Sequence, residues 1–395
     1  MSGGLSPRPG AKPNFRYIDC ARGYAVLMVI TCHLTFQLPN LPYPIHRLTA
    51  MGWWGVELFF LASCVTLLMS WHHEAARNGA ADPRAFFIRR FFRIAPAYYT
   101  AAAFYFFLLP PSSGFDARQL LAAMLFINAW HPVLTPTVLD GWNVVPGGWS
   151  ISVEFCFYLI FPFFAAWTTS FARASGLALA SIVIAVIANR AAYTVLSGTY
   201  DPIGLGNFLF FWPPNQFPIF ALGSVLFFLL RQSANPRGQK LLASYGTAAG
   251  LIAILAFCAM SYIPLGHYFG DGPFIPGLLA VSIPLMGFVL ALSSNRGILV
   301  NRYAAAMGKV SFSAYLLHYA VLHAFERWPE TFHSHAEGFT AIAVFALGWI
   351  FTVSVTYGLA WLAYRFIEAP FIDIGKSLIS PITVRSPAPY SPPPE

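Results

Sequence analysis

The chain has 395 residues, of which 57% are hydrophobic and only 10% charged. Soluble domains carry about 25% charged residues, so this composition excludes a soluble globular enzyme and indicates an all-α polytopic membrane protein. The net charge of +8 does not indicate nucleic-acid binding, because the basic residues are dispersed among apolar spans and their placement relative to a lipid bilayer accounts for them.

Residues 1–16 form a Pro/Gly-rich basic tail with no cleavage site after the first span, so no signal peptide is expected. The first span, Tyr17–Phe36, is long enough to cross a membrane but carries Asp19, Arg22 and His33. Arg22 and His33 are eleven positions apart, which at about 100° per residue returns to nearly the same face. Asp19 lies three before Arg22, close enough to neutralise it. This polar stripe must face protein or a water-filled path.

Nine further spans are expected at about 53–71, 94–110, 149–167, 177–196, 208–230, 244–263, 275–293, 310–327 and 339–366, making ten transmembrane helices. The apolar stretch 120–130 is too short to cross and is expected to be re-entrant or interfacial. With that assignment both termini are cytosolic, and only Arg47, Arg118, Arg190 and Arg327 face outward. The domains are a cytosolic tail (1–16), a transmembrane unit (17–370) and a Pro-rich cytosolic tail (371–395). Because the sequence ends soon after its last span, any reaction is expected to finish within the bundle.

The second span opens Gly55-Val56-Glu57-Leu58-Phe59-Phe60 and continues to Ser63-Cys64; the intramembrane Glu57 fits either a partner in the bundle or a water-facing position. Before the third span, Arg90 and Arg93 share a helix face, and two such guanidiniums suit phosphate oxygens as well as a cytosolic topology signal. The fourth span begins Trp149-Ser150-Ile151-Ser152-Val153-Glu154-Phe155-Cys156-Phe157-Tyr158, with Glu154 and Tyr158 one turn apart. In the ninth span Ser311, Tyr315 and His318 make one polar stripe, with His318 lining a pocket or packed in the core. Glu368, near the end of the last span, is expected to pair with Arg365 in a structural role. The five cysteines fall in apolar segments without a CxxC, and His333, His335 and Glu337 lack a fourth ligand, so no metal site is expected.

Taken in chain order, Asp19-x-x-Arg22-Gly23 with His33, the Gly-Val-Glu-x-Phe-Phe segment, Arg90-x-x-Arg93-x-x-Pro96, Trp149-Ser-x-x-x-Glu154-x-x-Phe-Tyr158 and Ser311-x-x-x-Tyr315-x-x-His318 resemble the acyltransferase type 3 family of integral membrane proteins. Cys64 stands where that family usually has glycine. The resemblance implies transfer of an acyl group, most often acetyl, from cytosolic acyl-CoA to a hydroxyl of an extracytoplasmic or lipid-linked glycan or a glycosylated small molecule. No permanently bound cofactor is implied, since acyl-CoA (acetyl-CoA above all) is a substrate. A bacterial cytoplasmic (inner) membrane is the implied location. His33 is the expected general base, with Arg22 and Asp19 setting its environment or binding the donor, and a covalent acyl-histidine as the mechanistic alternative. Glu154 is the further catalytic candidate, Arg90 and Arg93 the donor-phosphate site, and Trp149, Ser152, Tyr158, Tyr315 and His318 the substrate pocket. The rival class is a transporter or flippase of an anionic sugar or lipid, using the same buried charges as a binding site.

Overall fold

The computed structural model describes residues 16–111, 114–135, 142–262, 276–295, 297–327 and 336–379, and all regular structure among them is helical. The expected features at the His333–His335 loop, in the tail before Arg16 and in the tail beyond Ile379 lie outside the described residues, while 371–377, expected to belong to the C-terminal tail, are helical. The helices are α1 (Arg16–Phe36), α2 (Tyr43–Ala50), α3 (Gly55–Asn78), α4 (Pro83–Leu108), α5 (Ala117–Met124), α6 (Gly148–Trp167), α7 (Phe171–Leu196), α8 (Pro202–Phe211), α9 (Pro213–Ser233) and α10 (Pro236–Met260). They continue with α11 (Pro276–Leu292), α12 (Arg302–Lys309), α13 (Ser311–Glu326), α14 (Gly338–Ala363) and α15 (Ala369–Ser377). Their starts are written locally: Asp82-Pro83, Asp201-Pro202 and Asn235-Pro236 each put a side-chain acceptor at the N-cap and proline at the first helical position.

Among the described residues, six helical stretches are long and apolar enough to cross a membrane: Tyr43–Asn78, Gly148–Trp167, Phe171–Leu196, Pro202–Ser233, Pro236–Met260 and Gly338–Ser377. Helices α1, α4, α11 and α13 also coincide with expected spans but fall outside that set. α11 and α13 have 17 and 16 residues. In α1 and α4 the polar side chains themselves lower the hydropathy: Asp19, Arg22 and His33 in one, Arg93 in the other. The 120–130 stretch is the short helix α5 followed by turns.

α1 is the hub of the bundle, packed against α3, α11, α12, α13 and α14. Its approach to α12 is closer than any β-carbon permits. A Cβ on Gly23 would stand 2.0 Å from the Ala304 carbonyl oxygen, so only glycine fits there. α4 is tied to α13 by the buried Tyr105 hydroxyl, which donates to Leu316 O (2.7 Å) and accepts from Ala320 N–H (3.1 Å). These are the two ends of one i→i−4 rung, the kind of insertion that locally opens a helix. The segment between them carries His318 and Tyr319.

The 120–130 segment is pinned to α6. Phe126 has a left-handed backbone (φ 56°), costly for a bulky residue. Its ring stacks on Phe155 at 3.7 Å, and its carbonyl accepts from Ser152 Oγ at 2.6 Å.

Candidate active site

A cavity of about 600 Å³ opens between α1, α3, α4, α6 and α13. Cations gather in it because three helices each deliver one or two: Arg22 from α1, Arg90 and Arg93 from the first half of α4, and Lys309 from the end of α12. Asp19 lines it as well, but no ion pair joins Asp19 to Arg22 among the described residues, contrary to the neutralising contact expected from their spacing. Arg89, the third member of the arginine cluster, is committed elsewhere: it pairs with Glu74 at 2.5 Å and ties α4 to α3. Arg90 instead lies over the Phe86 and Tyr158 rings, and its buried Nε has no hydrogen-bond partner among the described residues.

Glu154 supplies the negative charge facing Arg22 and Arg90. One of its oxygens accepts from both Ser63 Oγ and Tyr158 Oη, each at 2.6 Å. Ser150, Glu154 and Tyr158 lie four apart on α6 and all line the cavity. At the far end, Tyr315 Oη accepts from Ser150 Oγ (2.8 Å) and donates to the Gly147 carbonyl (3.1 Å). The turn at Gly147 (φ 75°) has to be glycine, since a Cβ would also stand 2.8 Å from that phenol oxygen.

Two pocket expectations change. Trp149 points away from the cavity into an aromatic cluster with Phe211 (4.5 Å), Phe210 and Phe60. Ser152 is buried and spends its hydroxyl on the Phe126 carbonyl. Both belong to the opposite face of α6 from Glu154. Glu368 is also not paired with Arg365: it lines the cavity and accepts from the backbone N–H (3.0 Å) and the hydroxyl of Ser313, while Arg365 lies over Trp361. Spacing did not single out Ser63, Ser150 or Lys309. Glu57 does not line the cavity; it is buried, and neither carboxylate oxygen has a partner among the described residues.

His33 and His318 form a separate cluster beyond Tyr315. Their rings are 5.1 Å apart, and His318 lies 5.7 Å from the Tyr315 ring. His33 Nδ1 donates to Val29 O at 2.8 Å and His318 Nδ1 to Tyr315 O at 2.6 Å. A carbonyl only accepts, so both Nε2 atoms are the lone-pair nitrogens of the neutral rings. His318 Nε2 has no partner among the described residues, whereas His33 Nε2 accepts from Tyr319 Oη at 2.6 Å. Asp19 and Arg22 are thus cavity groups about three helical turns away, and they do not set the surroundings of His33.

Fold and site together define a helical membrane protein with a cation-lined cavity and a histidine pair packed beyond the Tyr315 that lines it. Residues 15–365 match the family model described as "Acyltransferase domain", and the chain belongs to this acyltransferase type 3 family. It is similar to the acyltransferase MdmB of Streptomyces mycarofaciens, 26% identical over 319 residues that cover 76% of this chain and 77% of the relative. It is also similar to a putative peptidoglycan O-acetyltransferase, YrhL, of Bacillus subtilis (strain 168), 26% identical over 386 residues. A putative O-acetyltransferase of Staphylococcus aureus (strain COL) is 24% identical over 389 residues. The alignments to these last two cover 90% of this chain but only 55% and 57% of the relatives' lengths. No solved structure matches the chain.

Proposed function

We propose that this acyltransferase moves an acetyl or similar small acyl group from cytosolic acyl-CoA to a hydroxyl of an extracytoplasmic or lipid-linked carbohydrate. The observation that carries the reading is a cavity lined by Arg90, Arg93 and Tyr315, with His318 packed 5.7 Å from the Tyr315 ring and His33 5.1 Å beyond it. Arg90 and Arg93 hold the donor phosphates, and the thioester arm follows the Glu154–Tyr158 wall toward Tyr315. The acceptor hydroxyl must lose its proton as it attacks the thioester, and a neutral imidazole is the natural base near neutral pH. His33 takes that role, and Arg22 and Asp19 act on the donor. Similarity to two putative O-acetyltransferases favours acetyl, and the peptidoglycan acceptor of the Bacillus subtilis relative favours a glycan.

In this reading the chain crosses the bacterial inner membrane ten times, with both termini cytosolic and the α5 segment held at the interface. The test is to incubate the purified chain with labelled acetyl-CoA and a membrane extract of its source cell. Transfer releases free CoA thiol and labels the extract's glycans. A transporter or flippase using the same charges releases no thiol, and that result would overturn the proposal.

A further inference from the structure

We propose that Tyr319 is a proton relay between the acceptor hydroxyl and His33; the inference rests on the reading of His33 as the general base. The lone pair that base needs is occupied: with Nδ1 bonded to Val29 O, only Nε2 can take a proton, and Nε2 already accepts from Tyr319 Oη. An acceptor reaching for His33 therefore meets the phenol first. Tyr319 Oη has given its one hydrogen to His33, yet keeps lone pairs, and no group among the described residues donates to it. An incoming hydroxyl fits that vacancy as a donor.

The ring is held for such a task. It stacks edge-on against His33 at 4.6 Å and tilts over His318 at 4.1 Å. The backbone on either side is gripped by Tyr105, whose hydroxyl bonds Leu316 O and Ala320 N–H. Tyr319 as a residue is only partly buried, and its oxygen keeps an acceptor position that no described group fills.

The step balances with acyl-CoA as the co-reactant. The acceptor oxygen forms a bond to the thioester carbon while its proton passes to Tyr319 Oη. The phenol proton passes to His33 Nε2, giving imidazolium. The C–S bond then breaks, and the CoA sulfur leaves with the proton from His33. Tyrosine and histidine return to neutral, and an ester and a thiol are the products.

The experiment measures CoA thiol release from acetyl-CoA by the full chain in lipid nanodiscs with membrane extract of its source cell, a readout that counts transfer to any hydroxyl. Tyr319→Phe keeps the ring and removes the relay; it is expected to slow turnover by about 100-fold, the lower end of the range for losing proton transfer, with acetyl-CoA affinity unchanged. In mixtures of H₂O and D₂O the wild-type rate is expected to fall along a bowed curve, because two protons move in the transition state, and the residual Tyr319→Phe rate along a straight line. A wild-type or faster rate for Tyr319→Phe shows the phenol to be a plug and overturns the relay, as does a straight line for the wild-type protein, which needs no variant to fold. His33→Ala separates the two levels. If it stays active, the base assignment fails. If it is inactive while Tyr319→Phe runs normally, only the relay fails.

Discussion

Gly308 on α12 lies so close to Asp19 on α1 that a β-carbon on the glycine would stand 1.7 Å from the Asp19 carbonyl oxygen. That contact sits one residue before Lys309 and on the turn that carries Arg22, so the packing of two backbones sets the spacing of two cavity cations. Gly308→Ala has no side-chain end to push aside, only backbone. It is expected to destabilise the protein by about 1–3 kcal/mol or more and to weaken acyl-CoA binding, since the helices must separate. Thermal unfolding in detergent, read beside donor affinity, checks both. A variant as stable as wild type would show that α12 moves freely.

Arg90 and Arg93 have no carboxylate partner among the described residues, unlike Arg89, which Glu74 holds. Guanidiniums that line a cavity without a direct ion pair are available to a phosphate. Replacing both with alanine is expected to weaken CoA binding by a few kcal/mol, at about 1.5–3 for each charge-assisted hydrogen bond. Arg89→Ala is expected to lower stability and leave donor affinity nearly intact. Equal affinity of the wild-type protein for CoA and dephospho-CoA would argue against a contact to the 3′-phosphate.

The all-helical class and six long apolar helices are legible in the sequence, because their length and apolar content follow from what a bilayer demands, whereas the other four expected spans fall on helices too short or too polar for that measure. The cavity was legible as far as one helix could be followed: Arg22, Arg90, Arg93, Glu154 and Tyr158 all line it. Trp149 and Ser152 share a motif with Glu154, but a helix turns neighbouring residues to different faces, so motif membership alone does not place them in the cavity. The four-residue spacing Ser150, Glu154, Tyr158 marks the cavity face and would have brought in Ser150 while leaving both of those out. Glu57 drew notice as an intramembrane acid, yet the cavity stripe of α3 runs through Phe59, Ser63, Thr66 and Ser70. The bonds from Tyr319 to His33 and from Tyr105 to α13 join residues 286 and 211 positions apart, and no local pattern encodes them.

One Glu154 oxygen receives both the Ser63 and the Tyr158 hydroxyls, so the two donors are coupled through it. Ser63→Ala and Tyr158→Phe are each expected to cost about 1–2 kcal/mol of stability, since the remaining donor still serves the oxygen. The double variant leaves that oxygen without either and is expected to cost more than the sum, by about 0.5–3 kcal/mol. A double-mutant cycle on thermal stability measures the coupling. Strict additivity would mean that Glu154 draws its stabilisation from Arg22 and Arg90 instead.

The topology follows from where the arginines and lysines fall. Reporter fusions at Arg173, at the start of α7, and at Lys240, in the first turns of α10, are expected to read cytosolic. An outside signal at both would mean that the α5 segment crosses the membrane, despite having only 8 helical residues.

The two histidines are expected to fail differently. His33 touches Val29 O and Tyr319 Oη, and its ring is only partly buried, so His33→Ala is expected to leave the bundle folded and donor binding intact. Turnover should fall by about 10²–10⁴, the range for losing a general base. His318 is fully buried between the Tyr315 and Tyr319 rings, with Nε2 unpartnered among the described residues. His318→Ala opens a hole beneath Tyr319, so it is expected to lower stability by about 1–3 kcal/mol and to slow turnover by about tenfold through misplacement of that phenol. The measurement is kcat for both variants with acetyl-CoA affinity and melting temperature recorded on the same preparations. If His318→Ala abolishes turnover in a stable protein while His33→Ala keeps near-wild-type rates, the open lone pair of His318 is the base, and the Tyr319–His33 bond is a packing contact.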